Sequence, residues 1–257
     1  ISHMISPCWG DRVIAISKEV ERHLIEDFKM DPGRIRLIHN GIDVGKFRDA
    51  AQRLRQQERF DIKRKLGLSK GPVIGIIARL SDVKGHRYLV LAMREVLAEY
   101  PDAQLLIVGE GKEREALIRL AAAQGIAKSV FFHEQSPYTP EVLAAMDMFV
   151  LPSLHEGLGL ALMEAMAFGL PVIGSDVGGI RTLIEDGQRG LRVPAQDSAA
   201  LAGAIIRLLR DDDLRRSFGQ RASAFIAENF AQETMRVATE NVYKECLTHD
   251  RPTEHGG

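Results

Sequence analysis

PSLHEGLGLALMEAMAFGLPVIGSD, residues 152–176, leads from an apolar strand (Met148 to Leu151) through a turn containing Gly157 and Gly159 into an apolar helix (Leu160 to Phe168) and on to a second strand (Val172 to Gly174). A strand, a glycine turn and a helix start make an anion seat. The first helical turn carries unpaired backbone N–H groups and lies at the positive end of the macrodipole. The turn is therefore where a phosphate group is expected to sit.

Two glutamates, Glu156 and Glu164, stand eight positions apart across this turn and helix. At the helical rise their carboxylates are separated by up to about 12 Å. That matches the reach of a nucleotide diphosphate sugar, one carboxylate accepting hydrogen bonds from the hexose and the other from the ribose diol. An ionised carboxylate is acceptor-only and takes two hydroxyl donors at once. The plainer reading makes Glu156 a loop charge and Glu164 a solvated helix residue. Against it, Glu164 lies among Ala161, Leu162, Met163, Ala165, Met166 and Ala167. A charge kept in such a helix is expected to have a task.

Outward from this stretch the same alternation repeats. Strands are predicted at Val73–Ala78, Gln104–Val108, Val130–Phe132, Met148–Leu151, Val172–Gly174 and Gly190–Val193, and helices at His86–Glu99, Glu113–Gln124, Pro140–Met146, Leu160–Phe168 and Ile180–Ile184. Short apolar strands alternating with helices predict a parallel sheet covered on both faces, an α/β, Rossmann-like doubly wound domain. Helices at Ser198–Leu209, Asp213–Glu228 and Gln232–Leu247 close the chain. Near the other end, Arg12–Ile16 reads as a strand, Ser17 as an N-cap, Lys18–Phe28 as an amphipathic helix and Arg36–Ile38 as a strand. These few elements cannot make a core alone and read as the end of a preceding domain.

The expected organisation is a tag remnant at 1–4 (Ile-Ser-His-Met), the end of a preceding domain at 5–45, a linker and basic helix at 46–70, the main α/β domain at 71–230 and a closing helix and tail at 231–257. Between Val44 and Lys70 the chain is polar and basic, with Arg53, Arg55, Arg59, Lys63, Arg64 and Lys65. A linker followed by a solvated helix is expected there. The alternative is a peripheral contact with anionic lipid, the cations flanking Leu54, Phe60 and Leu66.

In a doubly wound sheet ligands bind beyond the carboxyl ends of the strands. Arg79 follows the first strand of the main domain, and Lys84 lies five residues on, in ARLSDVKGH. A guanidinium fork and an ammonium point charge at that edge neutralise a diphosphate, supplying what a divalent metal would otherwise supply. Gly109-Glu110-Gly111 and Gly178-Gly179 end two other strands, either as tight turns or as places where backbone approaches a ligand. No complete G-x-G-x-x-G and no G-x-x-x-x-G-K-[ST] occurs, which disfavours a dinucleotide dehydrogenase and a P-loop enzyme. Asp211-Asp212-Asp213 falls between helices and reads as a cap or solvated turn, and no histidine pairs at zinc spacing, so no metal site is expected. His155 is either a donor to a phosphate or sugar oxygen or a residue that shapes the loop.

Across 257 residues the net charge is −1 and 45% of residues are apolar, so a packed core is expected and a global electrostatic case for nucleic acid is absent. The two cysteines, Cys8 and Cys246, lie near opposite ends without metal-ligand spacing, and a reducing cytoplasm is the simplest setting. No apolar run is long enough to span a bilayer.

Taken together, VIAISKEV, IHNGID, ARLSDVKG, LLIVGEGKERE and VLPSLHEGLGLALMEAMAFGLPVIGSDVGGI resemble the retaining, nucleotide-sugar-dependent glycosyltransferases of family four, whose two Rossmann-like domains face each other in the GT-B arrangement. The E-x7-E element with its preceding P-S and following G-x-P-V is the specific part. The resemblance implies a donor that is a nucleotide diphosphate sugar, UDP-sugar first, with no separate cofactor. It implies that Arg79 and Lys84 bind the diphosphate, Glu156 the transferred sugar, the backbone of Gly157, Leu158 and Gly159 the donor, and Glu164 the ribose. The loop from His133 to Ser136, with Gln135, would border the base, and Gly109 is a further donor-binding position. His133 and Glu134 stand where the family more often has glycine. The family's first domain is represented only by Arg12 to Asp43, and its closing helix would pack back onto that domain. The implied activity is transfer to a sugar, lipid or small-molecule hydroxyl with retention of configuration, in the cytoplasm or at the inner face of a membrane. A non-catalytic nucleotide-sugar binding module and a sugar-nucleotide epimerase are the alternatives.

Overall fold

The structure is a computed structural model that describes residues 10–54, 58–134 and 139–249. Its main body is a parallel sheet of six strands, β3 (Val73–Ile77), β4 (Gln104–Val108), β5 (Val130–His133), β6 (Met148–Leu151), β7 (Val172–Ser175) and β8 (Leu191–Val193), in the order β5-β4-β3-β6-β7-β8. From β3 the chain moves outward through β4 to β5, then returns to the other side of β3 and moves outward again. The direction therefore reverses between β3 and β6. In an open α/β sheet such a reversal leaves a crevice beyond the carboxyl ends of the two strands.

Side chains alternate along each strand, so one sheet builds two cores. Ile74 and Ile76 point to the face covered by α4 (His86–Glu99), α5 (Arg114–Ala123) and α9 (Ser198–Arg210), while Val73 and Ile77 point to the other. That second face is covered by α2 (Val44–Leu54), α3 (Glu58–Lys65), α6 (Thr139–Ala145) and α7 (Leu160–Phe168), with Ala222 and Ile226 of α10 (Asp212–Asn229) joining it. Every residue of the main-sheet strands is buried except Phe131, Phe132 and His133 of β5 and Arg192 of β8. This is the doubly wound α/β architecture expected from the alternation, with a short α8 (Ile180–Leu183) after β7.

The segment expected to be a linker and a solvated helix folds differently. Phe47, Ala50, Ala51 and Leu54 of α2 are buried against the second core. Their spacing is that of a helical face, and the surrounding charges hid it. In α3, Lys63 is only 7% exposed. Arg59 and Lys63 converge on Asp147, the residue before β6, with Lys63 Nζ 3.2 Å from Oδ2, and Arg64 pairs with Asp61 at 2.9 Å. At least three of the six cations of the basic run, Arg59, Lys63 and Arg64, are thus engaged within the fold, which weakens the case for a lipid-facing patch; Arg55 lies outside the described residues.

The N-terminal elements form a separate two-stranded parallel sheet, β1 (Val13–Ala15) with β2 (Ile35–Leu37), packed on α1 (Lys18–Glu26). Ser17 caps α1 by accepting the Val20 N–H at 3.2 Å, as expected. The last helix, α11 (Gln232–His249), returns to this end of the molecule: Glu245 pairs with Arg36 at 2.8 Å, and Ile42 bridges to Ala231. Asp211 caps α10 through the Leu214 N–H at 2.8 Å. Among the described residues no helix is long and apolar enough to cross a membrane.

Candidate functional site

The loops after β3 and β6 meet at the switch point. Lys84, in the single helical turn Asp82–Lys84 after β3, donates to Glu156 Oε2 at 2.6 Å. Ser153 Oγ donates to the same oxygen at 3.2 Å. Glu156 is mostly buried, its side chain 11% exposed, and Ser153 is fully buried. Both donors reach Oε2, so Oε1 accepts from no described residue. The carboxylate is held at one oxygen and open at the other.

The turn behind it is an amide cradle. No acceptor among the described residues takes the N–H of Gly157, Leu158 or Gly159, and the first helical bond of α7 runs from Met163 N to Gly159 O at 3.0 Å. The next three N–H groups lie within the first turn and are unpaired by helical geometry. The loop after β7 fixes this turn from behind: Gly179 N donates to Glu156 O at 2.9 Å. A Cβ on Gly179 would stand 2.3 Å from the Gly157 carbonyl, so only glycine lets the two backbones approach. Gly178-Gly179, expected either to turn or to approach a ligand, instead supports the loop that carries Glu156.

Arg79 is exposed just beyond β3, and its guanidinium has no ion-pair or hydrogen-bond partner among the described residues. Glu164 is half-buried on α7. Burial raises its pKa above the ordinary carboxylate value, and Lys46 of α2 opposes that rise. Gly109 N donates to His133 O at 2.9 Å where β4 and β5 end, so both residues reach the same edge. The His133 ring turns aside to the carbonyl of Leu66, its Nε2 at 2.9 Å, on the wall of a cleft of about 710 Å³ shared with Phe132, Arg114 and Glu141. Gln135 and Ser136 lie outside the described residues. His155 is exposed beside Glu156. A second cleft of about 660 Å³, lined by Arg48, Arg59, Asp147 and Pro171, opens at the opposite edge of the sheet and takes no part in this site.

The structure thus brings together Lys84, Glu156 and the amides of 157–159, with Arg79, Gly109 and His133 along the same sheet edge. Sequence reasoning missed Ser153 as a partner of Glu156. The P-S pair before the glutamate was its available signal. His86, the first residue of α4, is 2% exposed and faces the Ser81 backbone.

Fold and edge define a doubly wound α/β domain whose ligand crevice lies at the β3–β6 reversal. The family model for glycosyl transferases group 1 matches residues 58–225, and the chain belongs to that family. A second model, glycosyltransferase family 4, matches residues 6–46. The chain is 35% identical over 230 residues to a D-inositol 3-phosphate glycosyltransferase of Nocardia farcinica, covering 85% of this chain and 49% of that protein. It is 33% identical over 245 residues to an N-acetyl-alpha-D-glucosaminyl L-malate synthase of Bacillus anthracis, covering 94% of this chain and 61% of that protein. The chain therefore spans about half to three-fifths of the length of these relatives. Among solved structures, Anabaena Alr3699/HepE in complex with UDP and glucose superimposes with a TM-score of 0.82 at 23% identity, over 92% of this chain and 63% of that one, a likeness of fold.

Proposed function

We propose that this chain is the donor-binding half of a retaining glycosyltransferase, which moves a sugar from a nucleotide diphosphate sugar to an acceptor hydroxyl. The observation that carries this reading is the meeting of Lys84, Glu156 and the unpaired amides of Gly157, Leu158 and Gly159 at the switch point. Arg79 and Lys84 take the diphosphate, the turn amides take donor oxygens, and Glu156 accepts hydroxyls of the transferred sugar. Glu164 accepts the ribose diol, Gly109 contributes to the donor site, and the loop that begins at His133 borders the base. UDP is the favoured nucleotide, supported by its presence in the Anabaena protein of the same fold. The two relatives named above carry different acceptors in their names, so the acceptor class stays general: a sugar, lipid or small-molecule hydroxyl.

In this reading the barrier falls because charge developing on the departing diphosphate meets groups already aimed at it. A lysine, an arginine and a helix start need no reorganisation as the bond breaks. Glu156 orients the sugar for attack on the face the diphosphate leaves and forms no covalent bond. The cations supply the positive charge, so a divalent metal is not required. Calorimetric titration of the chain with UDP, with and without chelator, tests the reading. Weak binding that survives chelator and is lost in Arg79→Ala is expected; failure of any nucleoside diphosphate to bind would sink it. Donor screening by product mass, with the chain joined to a complete acceptor-side domain, then identifies the sugar.

A further inference from the structure

We propose, resting on the reading above, that Lys84 is shared between two subsites: it holds Glu156 until a diphosphate draws it away, so the phosphate and sugar positions are coupled through one ammonium. The pair is close, 2.6 Å, with side-chain exposures of 26% for Lys84 and 11% for Glu156. Such a pair is shielded from the solvent that makes exposed ion pairs nearly worthless. Its loss must be compensated by whatever replaces it.

A diphosphate offers that replacement. Lysine carries one charge and three donors, and a doubly or triply charged phosphate chain at Arg79 competes for it with a single carboxylate. Once Lys84 turns to phosphate, Glu156 retains Ser153 at Oε2 and gains a second open acceptor for sugar hydroxyls. The sugar subsite is thus completed by the phosphate of the same donor. After transfer the sugar has gone and the carboxylate is unsatisfied. It then recaptures Lys84, which loosens the nucleoside diphosphate product. By linkage, whatever frees Lys84 from Glu156 must tighten free nucleoside diphosphate.

The test is a double-mutant cycle on the full chain with UDP as the probe, read by calorimetry. Glu156→Gln should bind UDP about fivefold tighter or more than the unsubstituted chain. Lys84→Met should bind it more weakly, and adding Glu156→Gln to Lys84→Met should change nothing further. Equal tightening in both backgrounds would mean plain repulsion between carboxylate and phosphate, and the shared-lysine proposal would fall. Should Lys84→Met not fold, Glu156→Asp decides: it keeps the charge but withdraws it from Lys84, so it tightens UDP under sharing and leaves UDP unchanged under repulsion. No UDP binding to the unsubstituted chain removes the functional reading itself. Binding that Arg79→Ala weakens but Glu156→Gln leaves unaltered removes only the coupling.

Discussion

A Cβ on Gly85 would stand 1.9 Å from the carbonyl oxygen of Pro152, so the loop after β3 and the loop after β6 touch through bare backbone. Beside this contact Leu154 N donates to Val83 O at 2.7 Å. Lys84 reaches Glu156 because the two loops lie this close. Gly85 also has φ +70, a conformation that side chains disfavour. Gly85→Ala is therefore expected to cost at least about 2 kcal/mol of stability. Chemical denaturation checks it; an unchanged midpoint would contradict the contact.

Glu164 is expected to act on every ligand that carries the ribose. Glu164→Ala should weaken UDP and a UDP-sugar by similar factors, about 1.5–3 kcal/mol for a charge-assisted site. Only the ionised carboxylate is a pure acceptor. Because burial raises its pKa above the ordinary 4.5, with Lys46 opposing, UDP affinity should begin to fall on acidification before a free carboxylate would protonate. Titrations from neutral to acid pH should show that limb in the unsubstituted chain and not in Glu164→Ala.

His86 predicts an acid limb in stability. Burial pushes its pKa from 6.5 down to about 4, the Ser81 backbone opposing and Lys84 adding to the effect. Between those values the unfolded chain binds a proton that the folded chain refuses. Stability should therefore be unaffected by this group above pH 6.5 and fall as pH drops toward 4, by about 3 kcal/mol in all. Denaturation midpoints across that range test it. His86→Leu should flatten the limb, and a limb that persists unchanged would assign it to other groups.

Asp147 anchors α3 to the start of β6 by accepting from Arg59, Lys63 and the Val73 N–H. Burial alone would raise its pKa, but Arg59 and Lys63 outweigh it and hold the value below the ordinary 3.8. Its stabilising contribution is present above that pH and is lost as pH falls through the lowered folded value. Asp147→Asn should destabilise the chain at neutral pH by about 2–4 kcal/mol, since it leaves Lys63 buried without its countercharge. Thermal melts should register the loss at pH 7, and UDP binding of the folded fraction should not change.

How the site reads in sequence depends on whether each signal is local. The strand and helix periods of 73–193 are carried by neighbouring side chains, and the observed bounds differ from the expected ones by a residue at the ends, as at β3 and β5. The face of α2 was equally local but was masked by the charges around Phe47 and Leu54. Gly178-Gly179 could be marked as a place of close approach, yet the backbone approached is that of Glu156 and Gly157, far away along the chain.

By itself the sequence determined the α/β alternation and the glycine turn before α7, and it marked Arg79, Lys84, Glu156 and Glu164 as candidates for the chemistry. Those follow from short-range patterns: periodicity, glycine placement and charge next to strand ends. Only the tertiary structure decided the strand order, and with it the reversal that sets the loop of Lys84 against the loop of Glu156. It likewise decided that Ser153 holds one oxygen of Glu156 and that three basic residues of α3 are engaged in ion pairs within the fold. The reason is physical: a pair 72 positions apart in the chain meets only when three crossover helices and a switch in sheet direction have been laid down between its members, and no local pattern encodes which strand will lie beside which.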